Sequence, residues 1–180
     1  SKDKLYFNTD IFYDFSPIFN LPKNIDEFKL LHKSKFWYNI RRSKRLFEED
    51  FGEICFETFK DQDAFKLLDR IRDIFLERWS KTYTSFYWKR NDGYEKFKTT
   101  IDYVIKNYPN TFNISILKIK SSNEIIAYSV GFELNSNYYF WMHNVRIKYS
   151  LSKYSLGTIF LNNLIINLIN KGNVEIFDFM

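Results

Sequence analysis

Few side chains in this 180-residue sequence can do chemistry. It has two histidines, one cysteine and a scatter of carboxylates and phenols. Asp178 stands out because it alternates in phase with Val174 and Ile176, so it points where apolar residues point. A carboxylate so placed must be hydrogen-bonded or functional, and both roles stay open. His143 falls on a strand pattern and is expected to share a face with Tyr139, Trp141 and Val145. It is either a proton acceptor or a histidine satisfied inside an aromatic core. Tyr154 sits three residues before Gly157, where its phenol either returns a proton to a leaving group or packs. Glu133 ends a strand and is expected to be solvated. Arg78 and Trp79 read as a helix-end packing and ion-pair feature, and Cys55 as core.

The elements that must position these groups lie in the last forty-odd residues. The spacing predicts a strand over 138–146, a loop over 150–157 that reaches one glycine, a helix over 158–171 and a strand over 174–179. A strand–helix–strand unit of this length should be right-handed and parallel. A crevice then opens at the carboxyl ends of the strands, facing a helix N-terminus whose free N–H groups attract anions. The helix is apolar over most of its surface, with a polar stripe of Asn162, Asn163, Asn167 and Asn170, so it should be largely buried. Gly172, preceded by Lys171, marks its end. This arrangement suits a ligand with phosphates and an extended tail.

Composition sets the bounds. Aromatics make up 21% of the chain while glycine (5) and proline (3) are scarce, which excludes a disordered or loop-built module. A single cysteine excludes an internal disulfide, and with two histidines it leaves no ligand set for structural zinc. No apolar run is long enough to cross a membrane, and no secretory signal opens the chain, so a soluble cytoplasmic domain is expected. Net charge is +5, and Lys33, Lys35, Arg41, Arg42, Lys44 and Arg45 crowd one segment. That cluster is either a solvated helix face or a site for nucleic acid, acidic membrane or a phosphorylated cofactor. The sequence opens on Ser1, so it reads as part of a longer chain.

Residues 1–23 read as an extended lead-in, too apolar at Leu5, Phe7 and Phe12 to hang free, with Pro17 and Pro22 bracketing a turn. Asn24 and Glu27 form a capping box for a short helix, followed by a helix over 35–49 and a strand over 53–59. A helix over 62–81, another over 93–108 and an antiparallel meander over 112–120, 124–133 and 138–146 come next. The fold expected is α/β (α+β): a mixed sheet in which a meander leads into a parallel β-α-β unit, with helices on both faces.

In this order the chain resembles the GNAT acyl-CoA N-acyltransferases. More narrowly, it is similar to the C-terminal domain of the GNAT-like family linked to cellulose and polysaccharide biosynthesis, related to Fem-type aminoacyl transferases. The matching pieces are SPIFNL at 16–21, FWYNIRRSKRLF at 36–47, Arg78–Trp79, Ile126–Ala127, YSLG at 154–157 and FDF at 177–179. The pyrophosphate loop departs from the usual pattern, with Ser152 at its first position, Ser155 at the middle glycine position and only Gly157 retained. The resemblance implies transfer of an acyl group from acyl-CoA, acetyl-CoA foremost, to a primary amine of a small molecule, amino sugar or amino acid, with no metal. Asn144, Val145, Arg146 and Ile147 would meet the pantetheine arm, and Leu156, Gly157, Thr158 and Ile159 the pyrophosphate. Asp178, His143 and Tyr154 would be the catalytic candidates. The alternatives are a Fem-type enzyme taking its donor from aminoacyl-tRNA, with the basic helix on RNA, and a non-catalytic binding module. On this reading residues 1–23 are a lead-in and 24–180 a GNAT-like domain whose C-terminal part is missing. The apolar final strand would present an unpaired edge for a second domain or chain to complete.

Overall fold

The computed structural model describes residues 16–81 and 86–180. The apolar lead-in residues Leu5, Phe7 and Phe12 lie outside the described residues.

Six strands form one mixed sheet: β1 (Ile18–Asn20), β2 (Ile54–Lys60), β3 (Phe112–Ile119), β4 (Ile125–Leu134), β5 (Asn137–Val145) and β6 (Ile176–Asp178), in spatial order β1-β6-β5-β4-β3-β2. β3, β4 and β5 are antiparallel neighbours, as their short polar links predict, β2 lies antiparallel on β3, and β5 pairs with β6 in parallel. The crossover between β5 and β6 is carried by the helix Leu156–Lys171, numbered α7 below.

The other helices divide between the two faces. α1 (Ile25–Leu30) and α2 (Ser34–Phe51) precede β2. Between β2 and β3 lie α3 (Asp61–Phe65), α4 (Leu68–Trp79), α5 (Phe86–Lys89) and α6 (Asn91–Asn107). One core holds α7 and Phe28 and Phe47 of α1 and α2 against Leu117, Ala127, Tyr138 and Phe177 of the sheet. The other packs α3, α4 and α6 on Ile114, Ile116, Tyr128 and Val130. The single helix expected over 62–81 is broken at Lys66–Leu67 into α3 and α4.

Local sequence explains the ends that matter. Asn24 Oδ1 accepts from Glu27 N at 2.9 Å, and Glu27 Oε2 accepts from Lys23 N at 3.1 Å, one residue before the N-cap, so the start of α1 is a capping box with its return bond shifted by one residue. Gly172, at φ 70°, closes α7 in the left-handed conformation, with its N–H donating to Leu168 and Ile169 carbonyls.

Three expectations are corrected. The segment between Pro17 and Pro22 is not a turn: Ile18–Asn20 is a strand that lies antiparallel on β6, register Ile18↔Asp178. The edge expected to be left open is therefore taken by the chain's own lead-in, with Leu21 N donating to Glu175 O and Phe179 N to Pro17 O.

Second, β5 is bulged. Val130 pairs with Met142 but Gly131 pairs with Phe140, so Trp141 is an extra residue. Trp141 stacks on Phe97 of α6, and Met142 packs on that same face, so two consecutive side chains point one way. Alternation resumes one residue late. His143 therefore shares the α7 face with Phe140 and Phe160, not with Tyr139 and Trp141.

Third, Glu133 is not solvated. It is only 9% exposed, and its carboxylate accepts from Lys60 Nζ at 3.0 Å and Lys171 Nζ at 2.5 Å. Burial raises its pKa, but the two lysine hydrogen bonds outweigh that and hold it below the usual glutamate range.

Candidate active site

β6 accompanies β5 for only three residue pairs, Asn137↔Ile176 to Tyr139↔Asp178. β5 then runs on from Phe140 to Val145, and among the described residues no strand pairs with that side of it. A cleft of about 340 Å³ opens at this end of β5, lined by His143, Asn144 and Val145, by the loop residues Ser150, Leu151, Ser152 and Ser155, by Leu156 and Gly157 of α7, and by Arg78 and Trp79 at the end of α4.

The loop between β5 and α7 is two short 3₁₀ turns, Ile147–Tyr149 and Ser152–Tyr154. It enters α7 through Ser155, whose φ of 46° and ψ of 40° are left-handed. A serine there is strained where a glycine would not be. This is the position at which the resemblance would place the family's middle glycine. Ile159 N bonds back to Ser155 O, while among the described residues the N–H groups of Leu156, Gly157 and Thr158 have no backbone partner. These are the orphan donors of a helix start, and two of their residues line the cleft. A Cβ built on Gly157 would meet only His143 Cε1, at 3.5 Å.

Arg78 faces these donors across the cleft. Its guanidinium lies 5.4 Å from the Trp79 ring centroid and makes no ion pair among the described residues, so the expected ion-pair role is replaced by a cation on the cleft wall. Trp79 Nε1 donates to Asn144 Oδ1 at 2.6 Å, and Asn144 Nδ2 donates to Tyr128 OH at 3.0 Å. These bonds fix β5 against α4. The side chain of Asn144 is thereby committed to structure, leaving its backbone to the cleft.

The three expected catalytic side chains are not brought together equally. His143 lines the cleft. Burial first, and the Arg78 charge second, lower its pKa to about 4, so the imidazole is neutral at physiological pH. Its Nε2 is buried without a hydrogen-bond partner. Asp178 ends β6 opposite Tyr139, on the face away from the buried Phe177, and Val174 lies before the strand, so the expected phase with Val174 and Ile176 holds only for Ile176. Asp178 Oδ1 accepts from Ser16 Oγ at 2.5 Å and from Met180 N at 2.9 Å. Tyr154 is buried against Phe47, and its hydroxyl donates to Asp50 at 2.5 Å, away from the cleft lining.

The eight residues expected to hold cofactor also separate. His143's neighbours Asn144 and Val145 line the cleft, as do Leu156 and Gly157. Arg146 pairs with Glu77 at 2.9 Å, and Ile147 N donates to the same carboxylate at 3.1 Å, so both turn toward α4. Thr158 lines a neighbouring apolar cavity, and Ile159 is core. Arg78, Ser150, Leu151, Ser152 and Ser155 complete the wall, and of these the sequence pattern points only to Ser152 and Ser155, as loop positions.

Residues 34–180 match the family model described as an acetyltransferase (GNAT) domain. In fold the chain is similar to L-PGS from Bacillus licheniformis, with a TM-score of 0.56 at 12% identity over 92% of this chain and 45% of that one. It is also similar to the C-terminal domain (DUF2156) of a protein assigned as lysylphosphatidylglycerol synthetase from Agrobacterium fabrum, with a TM-score of 0.52 at 10% identity over 91% and 48%. The chain thus spans about half the length of these structures. No curated protein matches it in sequence. The family match covers most of the chain, including every wall of the cleft, and so the chain belongs to the GNAT acetyltransferase family.

Proposed function

We propose that the protein transfers an acyl group from acyl-CoA, acetyl-CoA foremost, to a primary amine of a small molecule, on an amino sugar or amino acid. The observation that carries this is the parting of β5 from β6 where α7 begins. It leaves a free strand edge and, among the described residues, three helix-start amides without a backbone partner and an arginine without an ion pair, of which Leu156, Gly157 and Arg78 line the cleft.

The residues present fit such a donor. The amides of Leu156, Gly157 and Thr158, with the Arg78 guanidinium, supply hydrogen bonds and charge for a pyrophosphate. Gly157 lets the chain of the ligand pass close to the helix start. The free edge of β5 beyond Phe140 offers backbone donors and acceptors for the amides of a pantetheine arm, as a sheet edge does for an extended peptide. Held there, the thioester carbonyl lies beside β5, whose unpaired N–H groups stabilise the negative charge that grows on its oxygen when the amine attacks.

The amine must lose a proton. His143 is neutral, so it can accept one, though its Nε2 is buried and burial makes it a weak base. Asp178, anchored by Ser16, is the second acceptor, at the end of the neighbouring strand. Tyr154 and Asp50 hold the loop against α2 and so position the phosphate donors.

Isothermal titration with acetyl-CoA tests this reading. Binding in the micromolar range is expected, and no heat at high micromolar ligand refutes it. Asp178→Asn should leave the fold near intact, since asparagine still accepts from Ser16, and should lower turnover rather than affinity. A loss of folding would make Asp178 structural.

A further inference from the structure

The chain's excess charge is concentrated on one corner. Residues 23–45 hold eight basic side chains against two acidic ones, more than the net charge of +5 carried by the whole chain. Among the described residues Lys33, Lys35, Arg41 and Arg42 make no ion pair, whereas Lys29, Lys44 and Arg45 have acidic partners one helical turn away. On α2, Lys35, Tyr38, Arg42 and Arg45 follow one another at helical spacing, so they share a face. That face is turned away from the core, which α2 meets through Phe47 and Ser43.

Large apolar side chains are exposed on the same corner. Leu30 is 85% exposed and Leu31 57%, at the turn between α1 and α2, and Tyr38 is 60% exposed among the arginines. An aliphatic pair flanked by unpaired cations is costly in water and marks a contact surface. Directly behind this turn lies an apolar cavity of about 400 Å³, lined by Phe28, His32 and Phe36 from α1 and α2, by Phe19 and Phe179 at the sheet edge and by the first turns of α7.

From this we infer that the α1–α2 corner docks on an anionic lipid surface, with Leu30 and Leu31 inserted and one lipid acyl chain received by the cavity behind them. Charge complementarity selects the partner: cations without carboxylates suit lipid headgroup phosphates, while exposed leucines and an apolar chamber have no use on a nucleic acid, which is gripped by stacking and phosphate contacts. The inference stands on this surface and not on the transferase reading, and a failed acetyl-CoA titration would leave it intact.

The test is co-sedimentation of the full chain with vesicles of mixed phosphatidylcholine and phosphatidylglycerol, against vesicles of phosphatidylcholine alone, at physiological ionic strength. Binding is expected only where phosphatidylglycerol is present. Arg41→Ala with Arg42→Ala should weaken it about fivefold per residue, and Leu30→Asp with Leu31→Asp about tenfold or more per leucine. Both pairs are exposed, so circular dichroism and melting should be unchanged. Equal partition to both vesicle types overturns the proposal, as does binding that ignores the leucine pair. Tight binding to transfer RNA that falls with the arginine pair and ignores the leucine pair would assign the face to nucleic acid instead, and also overturns it.

Discussion

Replacing His143 by glutamine should flatten the acid side of the protein's stability profile. In the folded chain burial, and then Arg78, hold the imidazole pKa near 4, against 6.5 for an unhindered histidine. The unfolded chain therefore binds a proton first. Stability contributed by neutral His143 is complete above pH 6.5 and is lost as pH falls through the window down to about 4. At 1.36 kcal/mol per unit, the native protein should lose about 2 kcal/mol between pH 7 and pH 5 through this one group. Carboxylates contribute mainly below that range, which keeps the window clean. The assay is urea unfolding followed by tryptophan fluorescence at half-unit steps of pH. Wild type should show the slope and His143→Gln should not, even if its stability at pH 7 is lower. If both proteins show the same slope, His143 is not the buried neutral group argued for, and its candidacy as a proton acceptor falls with it.

Arg78→Ala should weaken acetyl-CoA binding about tenfold in a titration, the lower range for a charged hydrogen bond because the side chain is solvent-exposed, and should leave the melting temperature unchanged. Ser155→Gly should stabilise the fold by about 0.5–1 kcal/mol in denaturant unfolding, since glycine adopts φ 46° without strain; an unchanged or lower midpoint would mean that the Ser155 hydroxyl bond to Ser152 O outweighs the backbone. Glu133→Gln should cost about 2 kcal/mol at pH 7, because it strands two lysines beside a buried amide. Its folded pKa is depressed, so wild-type stability from this group is present above pH 4.5 and lost below it, and the difference between the two proteins should shrink as the solution is acidified through that value.

Much of the fold was legible because it is written in short-range periodicity. α7 is apolar at nearly every helical position and ends on a glycine, and the meander has polar links of five and two residues. From these the parallel β5–β6 pair follows. The misreadings have a common cause: each depends on contacts distant in sequence. β1 is three residues long, too short for alternation to show, and exists because β6 offers it an edge. Glu133 is buried by Lys60 and Lys171, from opposite sides of the chain. The bulge at Trp141 shifts the phase of His143 without any glycine or proline in β5 to announce it; the indole's stacking on Phe97 is the reason, and α6 lies some forty residues earlier. Arg78 was visible at a helix end, where a cation is ordinary, and only the approach of the β5–α7 loop puts it in one cleft with the start of α7.

The pairing of β1 with β6 has a consequence for how the molecule comes into being. Ser16 and Asp178 are 162 residues apart yet share a hydrogen bond, so the strand that seals the sheet beside the cleft joins the first described residues to the last. Synthesis runs from Ser16 toward Asp178, and Ile18 must wait, unmatched, while nearly everything else is made. The local meander and its helices can condense early, whereas closing so long a loop is among the slowest steps available. Brevity and the flanking Pro17 keep the waiting segment from recruiting a wrong neighbour. Pairing of β1 with β6 is thus expected late on the folding path, and a chain arrested before it would leave the outer edge of β6 open.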